Sequence, residues 1–214
     1  GSAGADVPVP VFAAGDALEE DWQAFRVWRD AEFGLVAEGG EVAIRAVAEE
    51  ASGGLARRVE IDTARCPVLE WSWRAEALPP EADLTVRARE DMAASLFVAF
   101  GDPGLLANPD PVPTLRYVWA TQANAPGDII DSPYFPGVLR SIVVRSGEAR
   151  LGDWVGERRD LRADYEAAFG APPETDIEVV AIFTDSDHGG ARVESLYREA
   201  RVLCTEAPPA PSIF

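Results

Sequence analysis

A period of two constrains this chain more than any other feature. Short runs alternate apolar and polar residues, which puts successive side chains on opposite faces of an extended strand. In VLEWSWRAE, Leu69, Trp71, Trp73 and Ala75 share one face, and Glu70, Ser72 and Arg74 the other. Val42, Ile44 and Ala46 alternate with Glu41, Ala43 and Arg45, and LRYVWAT sets Leu115, Tyr117 and Trp119 against Arg116, Val118 and Ala120. In ASLFVAF, Leu96, Val98 and Phe100 point one way and Phe97 and Ala99 the other. A strand apolar on both faces belongs at the centre of a sheet. SIVVRSG, IEVVAIFTDSD and the closing SLYREARVL read as further strands, while DWQAFRVW (21–28) fits either strand or helix. Turn signals separate the runs at SGG (52–54), LPPEAD (78–83), GDPG (101–104), NPDPVP (108–113) and APGD (125–128). This rhythm predicts an all-β chain, an antiparallel β-sandwich of jelly-roll type. The alternation of strands with helices that marks a doubly wound sheet is missing.

One helix is expected, over about 160–169. In DLRADYEAAFGAPP, Leu161, Tyr165, Ala168 and Phe169 form one apolar stripe. Asp160 is placed to cap its first N–H groups, Gly170 to end it in the left-handed conformation, and Pro172 to prevent its resumption. No repeat or linker divides the 214 residues. The expected layout is a flexible N-terminal segment (1–10), a single sandwich domain (11–205) and a proline-rich tail (206–214). The opening GSAGADVPVP is small and proline-punctuated, as a mature N-terminus left by signal removal would be. An extracytoplasmic protein, periplasmic or secreted, is therefore expected. All 19 basic residues are arginine, which fits a GC-rich bacterial genome.

Acidic residues number 37, for a net charge of −18. A field of that sign repels phosphate backbones and anionic lipid, so nucleic acid is not an expected partner. No apolar run approaches the ~20 residues that span a bilayer, so membrane insertion is not expected. Cys66 and Cys204 carry no metal spacing; they fit either two small core residues or a disulfide formed in an oxidising compartment. Oligomeric state is left open.

The motifs of the common hydrolases and nucleotide enzymes are missing. There is a single histidine, His188, with no GxSxG elbow and no phosphate-binding glycine loop. TDSDHGG (184–190) follows a strongly apolar strand, where a sandwich places its binding loops. Asp185 and Asp187 are spaced like the first two ligands of a calcium loop, though Gly189 holds the third position and no glutamate closes the loop. Three readings stay open for them: a turn in which the Asp side chains accept local N–H groups, a calcium site, or direct contact with a ligand. In GDWVGERRD, Trp154, Glu157 and Arg158 combine an indole with acid and guanidinium groups. That is one way to hold a sugar, and equally a core plug beside surface ion pairs. Trp119 and Tyr134 flank the long segment TQANAPGDIIDSPY, and Arg145 follows on the next strand.

The pieces PVLEWSWR, FVAF, RYVWA, SPY, IVVRSG, GDWVGERRDLRADYEAAFG and VVAIFTDSDHGG run in that order over Pro67 to Val202. In them the chain resembles the bacterial domain-of-unknown-function family numbered three-zero-four-seven, a resemblance that carries no activity. The family pattern differs at DMAASLF, which lacks its basic residue, and at DSDHGG, where it tends to read DTDNTG. A looser resemblance is to the jelly-roll carbohydrate-binding modules, in Trp22, the P-x-L-x-W-x-W strand and an acid on the last strand. That likeness implies a structural calcium with Glu199 as a ligand, giving Asp185, Asp187 and Glu199 as the candidate metal residues and calcium as the one cofactor suggested. The expected function is non-catalytic binding of a glycan or similar polar ligand. The residues chosen for it are Trp119, Tyr134, Arg145, Trp154, Glu157, Arg158, Asp185 and Asp187. Its rivals are a glycoside hydrolase or polysaccharide lyase on the same scaffold, and a structural or interaction module of the cell envelope.

Overall fold

The computed structural model describes residues 6–13, 18–105 and 109–205. The tail 206–214 and residues 1–5 of the N-terminal segment lie outside the described residues. In chain order the elements begin with β1 (Val7–Ala13), α1 (Leu18–Asp21), β2 (Gln23–Trp28), β3 (Glu32–Glu38), β4 (Glu41–Ala48) and β5 (Ser52–Ile61). Next come β6 (Val68–Ala77), β7 (Met92–Phe100), β8 (Thr114–Ala120), β9 (Ile129–Asp131) and β10 (Leu139–Ser146). The last are β11 (Val155–Asp160), α2 (Leu161–Phe169), β12 (Ile177–Asp185) and β13 (Val193–Cys204).

The strands form two sheets. One is ordered β11-β6-β13-β4-β3 with β1 also paired to β13; the other is ordered β2-β5-β12-β7-β8-β10-β9. Their inner parts, β11-β6-β13-β4 facing β5-β12-β7-β8, have the strand order of a jelly roll. The fold is thus a jelly-roll β-sandwich. One pair departs from the antiparallel expectation: β8 and β10 run parallel. A parallel pair needs a long crossover, and segment 121–138, which also carries β9, supplies it. The ambiguous 21–28 stretch becomes β2. β1 takes in Val7–Pro10, which the sequence pattern places in the flexible segment, and pairs them with Cys204 to Arg201.

The two sheets bury the faces that alternation assigns to the core. Leu69, Trp71, Trp73 and Ala75 from one sheet meet Leu96, Val98, Phe100, Leu115, Tyr117 and Trp119 from the other. The Trp71 and Trp73 rings pack edge to face at 5.4 Å. Each large side chain fully buried in this way contributes about 1.5–3 kcal/mol relative to an exposed one. The β7 strand sits fourth of seven in its sheet, as its two apolar faces demand. Helix α2 follows its caps: Asp160 accepts N–H groups of Arg162 and Ala163 at 3.1 and 3.0 Å, and Gly170 ends it at φ 84°. Cys66 and Cys204 form a disulfide that ties the end of β13 to the loop after β5.

SGG (52–54) is not a turn. It opens β5, where a side chain on Gly54 would come within 2.5 Å of both the Ile182 carbonyl and the Phe25 ring. The missing Cβ lets Phe25 lie flat on the sheet.

Candidate binding cavity and acidic rim

The outer face of strands β5, β7, β8 and β12 is largely apolar as well, and that face is what positions the site. Near β8 and β10 it is covered by Leu84 from a neighbouring loop and Ile130 of β9, which pack on Val118, Ala120 and Val143. Elsewhere it carries a group of small residues, Ala56, Ala99, Val179 and Ala181. Small side chains leave a hollow, and Pro103, residues 109–112, segment 132–139 and β2 rise around it to line a cavity of about 820 Å³. Its floor is aromatic. Phe25 and Phe183 lie parallel at 5.9 Å, and Phe97 packs on Phe183 at 5.4 Å. At its rim Trp28 and Phe135 are 56% and 59% exposed, which is high for large aromatic residues.

Polar groups converge on one wall. Arg116 is only 3% exposed. It pairs with the buried Glu90 carboxylate, donates from Nε to Ser141 Oγ at 2.9 Å, and lies over the Phe97 ring at 5.7 Å. Asp185, at the end of β12, is 8% exposed and faces the cavity. Burial first, and then the neighbouring Asp187 charge, push its carboxyl up to about 9. The Asp187 N–H donates to Asp185 Oδ1 at 3.1 Å, which opposes that rise. Asp187 Oδ2 accepts from Ser52 Oγ at 2.9 Å. The Asp91 carboxylate accepts the His188 N–H at 3.2 Å and the Gly189 N–H at 2.7 Å, and His188 Nδ1 lies 3.1 Å from it. On the other side of that ring Nε2 is 2.6 Å from Tyr134 Oη, which also donates to the Arg87 carbonyl at 3.0 Å. The Arg87 guanidinium sits 4.5 Å over the Tyr134 ring.

Of the residues chosen from sequence, Tyr134, Asp185 and Asp187 come together at this cavity. The others lie elsewhere. Trp119 is 1% exposed inside the sandwich and donates from Nε1 to the Gly147 carbonyl at 3.1 Å. Arg145 pairs with Glu157, which also accepts from Trp73 Nε1 at 3.1 Å. Trp154 lies under the guanidinium groups of Arg198 and Arg74, at 3.9 and 5.2 Å, and Arg158 pairs with Glu70. Glu157 and Arg158 stand on β11, at the edge of the other sheet. Glu199, the calcium ligand implied by resemblance, is on β13 opposite Ala13 of β1, also in that sheet. Sequence reasoning missed Trp28, Glu90, Asp91, Arg116, Phe135 and His188. For Arg116 a signal existed: it is a lone charge on the outward face of a strand otherwise apolar on both sides.

Among solved structures, the chain is similar to the CBM22-1 xylan-binding domain from Paenibacillus barcinonensis Xyn10C, at 10% identity and a TM-score of 0.42, over 97% of this chain and 99% of that one. It is similar to TmCBM27, a carbohydrate-binding module described for specific mannan recognition, at 12% identity and a TM-score of 0.39, over 94% and 96%. It is also similar to a thermostable cellulase derived from the Cel12A cellulase of Rhodothermus marinus, at 12% identity and a TM-score of 0.48, over 92% and 99%. No curated protein matches its sequence. The family model described as protein of unknown function (DUF3047) matches residues 20–201, most of the chain, and the chain belongs to that family.

Proposed function

We propose that this chain is a non-catalytic binding domain that seats a saccharide, or another ligand with one apolar face and several hydroxyls, in the cavity on the outer face of the seven-stranded sheet. The observation that carries this reading is the division of that cavity into an aromatic floor and one polar wall. A pyranose ring presents the same division, with C–H groups on its faces and hydroxyls at its edge. Phe25, Phe97 and Phe183 would take the apolar face, with Trp28 and Phe135 closing over the rim, while Arg116, Asp185 and Tyr134 would meet hydroxyls. Acids outnumber bases on that wall, so a neutral or amine-bearing sugar fits better than a uronate. The Cys66–Cys204 disulfide fits service in an oxidising compartment, outside the cytoplasm.

A glycosidase would need two carboxylates facing each other across a cleft. Glu157, a conceivable partner for Asp185 or Asp187, stands on β11 of the other sheet and is engaged by Trp73 of β6 and Arg145 of β10. Burial holds the Tyr134 phenol above its ordinary value, the wrong direction for a lyase base.

Isothermal titration against neutral, amino and uronate oligosaccharides tests the reading. We expect a neutral or amino sugar to bind, and Trp28→Ala or Phe135→Ala to weaken it about tenfold without loss of thermal stability. Silence across the whole panel would remove the proposal. Release of new sugar ends from a polysaccharide by the wild-type chain would move the assignment to an enzyme.

A further inference from the structure

We propose that Asp91, Asp187 and His188 hold a divalent transition-metal ion of the zinc class at the rim of the cavity. The topology brings them together. Asp91 directly precedes β7, Asp187 and His188 lie just past Ser186 after the end of β12, and those strands pair so that Asp185 faces Met92. One ligand atom from each of the three lies within 4.8 Å of the others.

The inner atoms converge while the outer atoms are held from behind. His188 Nδ1 is 2.6 Å from Asp187 Oδ1 and 3.1 Å from Asp91 Oδ1. Behind them, Ser52 Oγ holds Asp187 Oδ2, the Gly189 N–H holds Asp91 Oδ2, and Tyr134 Oη faces His188 Nε2. Backing groups of this kind orient metal ligands and fix the imidazole tautomer.

Two further observations favour a cation here. Asp187 Oδ1 is buried and makes no hydrogen bond, although Nδ1 stands 2.6 Å away. A buried carboxylate oxygen without a donor is open to a cation, and ligands each about 2 Å from one ion stand about 3 Å apart, so these two atoms would separate slightly on binding it. Asp185, 8% exposed and turned to the same cavity, accepts only the Asp187 N–H among the described residues. Three carboxylates thus crowd one rim with unfilled acceptor positions. Calcium takes oxygen ligands almost exclusively, whereas an imidazole with two carboxylates suits zinc or manganese. Asp187 and His188 line the cavity, so an ion held by them would lie within reach of the oxygens of a bound ligand; that last step rests on the binding reading above, and metal binding itself does not.

Titration of the chelator-treated chain with zinc, manganese, calcium and magnesium chlorides, without saccharide, tests this. We expect one equivalent of zinc or manganese to bind and raise the melting temperature. His188→Ala and Asp187→Asn should each weaken binding at least about tenfold. Glu32→Gln, in the separate acidic hollow of Asp30, Glu32, Glu49 and Glu50, should leave it unchanged. Melting curves in chelator identify any variant that merely misfolds. Failure to bind zinc or manganese at tens of micromolar would overturn the proposal, with Asp91 and His188 then forming a hydrogen bond only. Binding that survives both variants, or calcium binding without zinc, would overturn it too. Since no sugar is present, such a failure would leave the saccharide reading standing.

Discussion

Two regions of this molecule are built from the same ingredients and end in opposite states. At the β11 edge of the sandwich, Trp73, Trp119, Arg145 and Glu157 combine indoles, a guanidinium and a carboxylate. At the cavity rim, Phe97, Tyr134, Arg116, Glu90, Asp91, Asp185 and Asp187 combine aromatic rings, a guanidinium and carboxylates. In the first, one acid faces one base, Glu157 takes both the Arg145 and Trp73 donors, and Trp119 Nε1 finds the Gly147 carbonyl. In the second, Glu90 takes the buried guanidinium of Arg116, while among the described residues Asp187 Oδ1 has no donor and Asp185 accepts only the Asp187 N–H. Residue type therefore does not separate a packed seam from a site. The separation lies in whether hydrogen-bonding positions are filled from within the chain.

That contrast breaks first at Arg116. Its pair with Glu90 is almost wholly buried, with side chains 4% and 5% exposed. Arg116→Met strands the Glu90 charge, and we expect a loss of about 3–5 kcal/mol in urea denaturation. A second change, Glu90→Gln, should return part of that stability but not saccharide binding, because the cavity wall still lacks its donor. Full ligand affinity in the double variant would show that Arg116 is structural, like Arg145.

The edge seam should respond in the opposite way. Glu157→Gln leaves Arg145 without its carboxylate, at a cost of about 1–2 kcal/mol in the same assay. Saccharide affinity should not move, since Glu157 stands on the other sheet. A parallel loss of binding would join the two regions into one site and undo the comparison.

Much of the fold was legible because alternation reports burial directly. Leu69, Trp71, Trp73 and Ala75 all lie in the core, and the two apolar faces of ASLFVAF did place β7 at mid-sheet. Asp160 and Gly170 bound α2 because capping is local chemistry. Trp119 shows where two sequence signals pull apart. Its own alternation with Leu115 and Tyr117 put it in the core, yet its nearness to a long loop made it a ligand candidate. Asp91 carried no signal at all. Its meeting with His188 is created by strand pairing across 97 positions, which no local spacing encodes. The parallel β8–β10 pair was hidden for a similar reason: strand direction is set by the path of segment 121–138, not by the strand residues.

The mildest test concerns a polar pair filled from within the chain, away from both regions. Glu194 on β13 accepts Arg45 Nε and Nη2 at 2.6 and 3.0 Å, and Arg192 Nη1 lies 2.8 Å away. The Arg45 hydrogen bonds hold its carboxyl below the ordinary 4.5, against the opposing effect of burial, and Arg192 adds to the lowering. The folded chain therefore gives up this proton more readily than the unfolded one. Its contribution is complete above the unfolded value and is lost as pH falls through the folded value. Both arginines are partly exposed, so the term is small, about 1 kcal/mol. Stability measured from neutral pH down past 4.5 should fall, and Glu194→Gln should flatten that fall by about this amount while lowering stability at neutral pH. An acid limb of unchanged slope in the variant would mean that Glu194 keeps its arginine contacts when unfolded, and would remove it from the set of filled pairs that distinguishes the packed scaffold from the open rim.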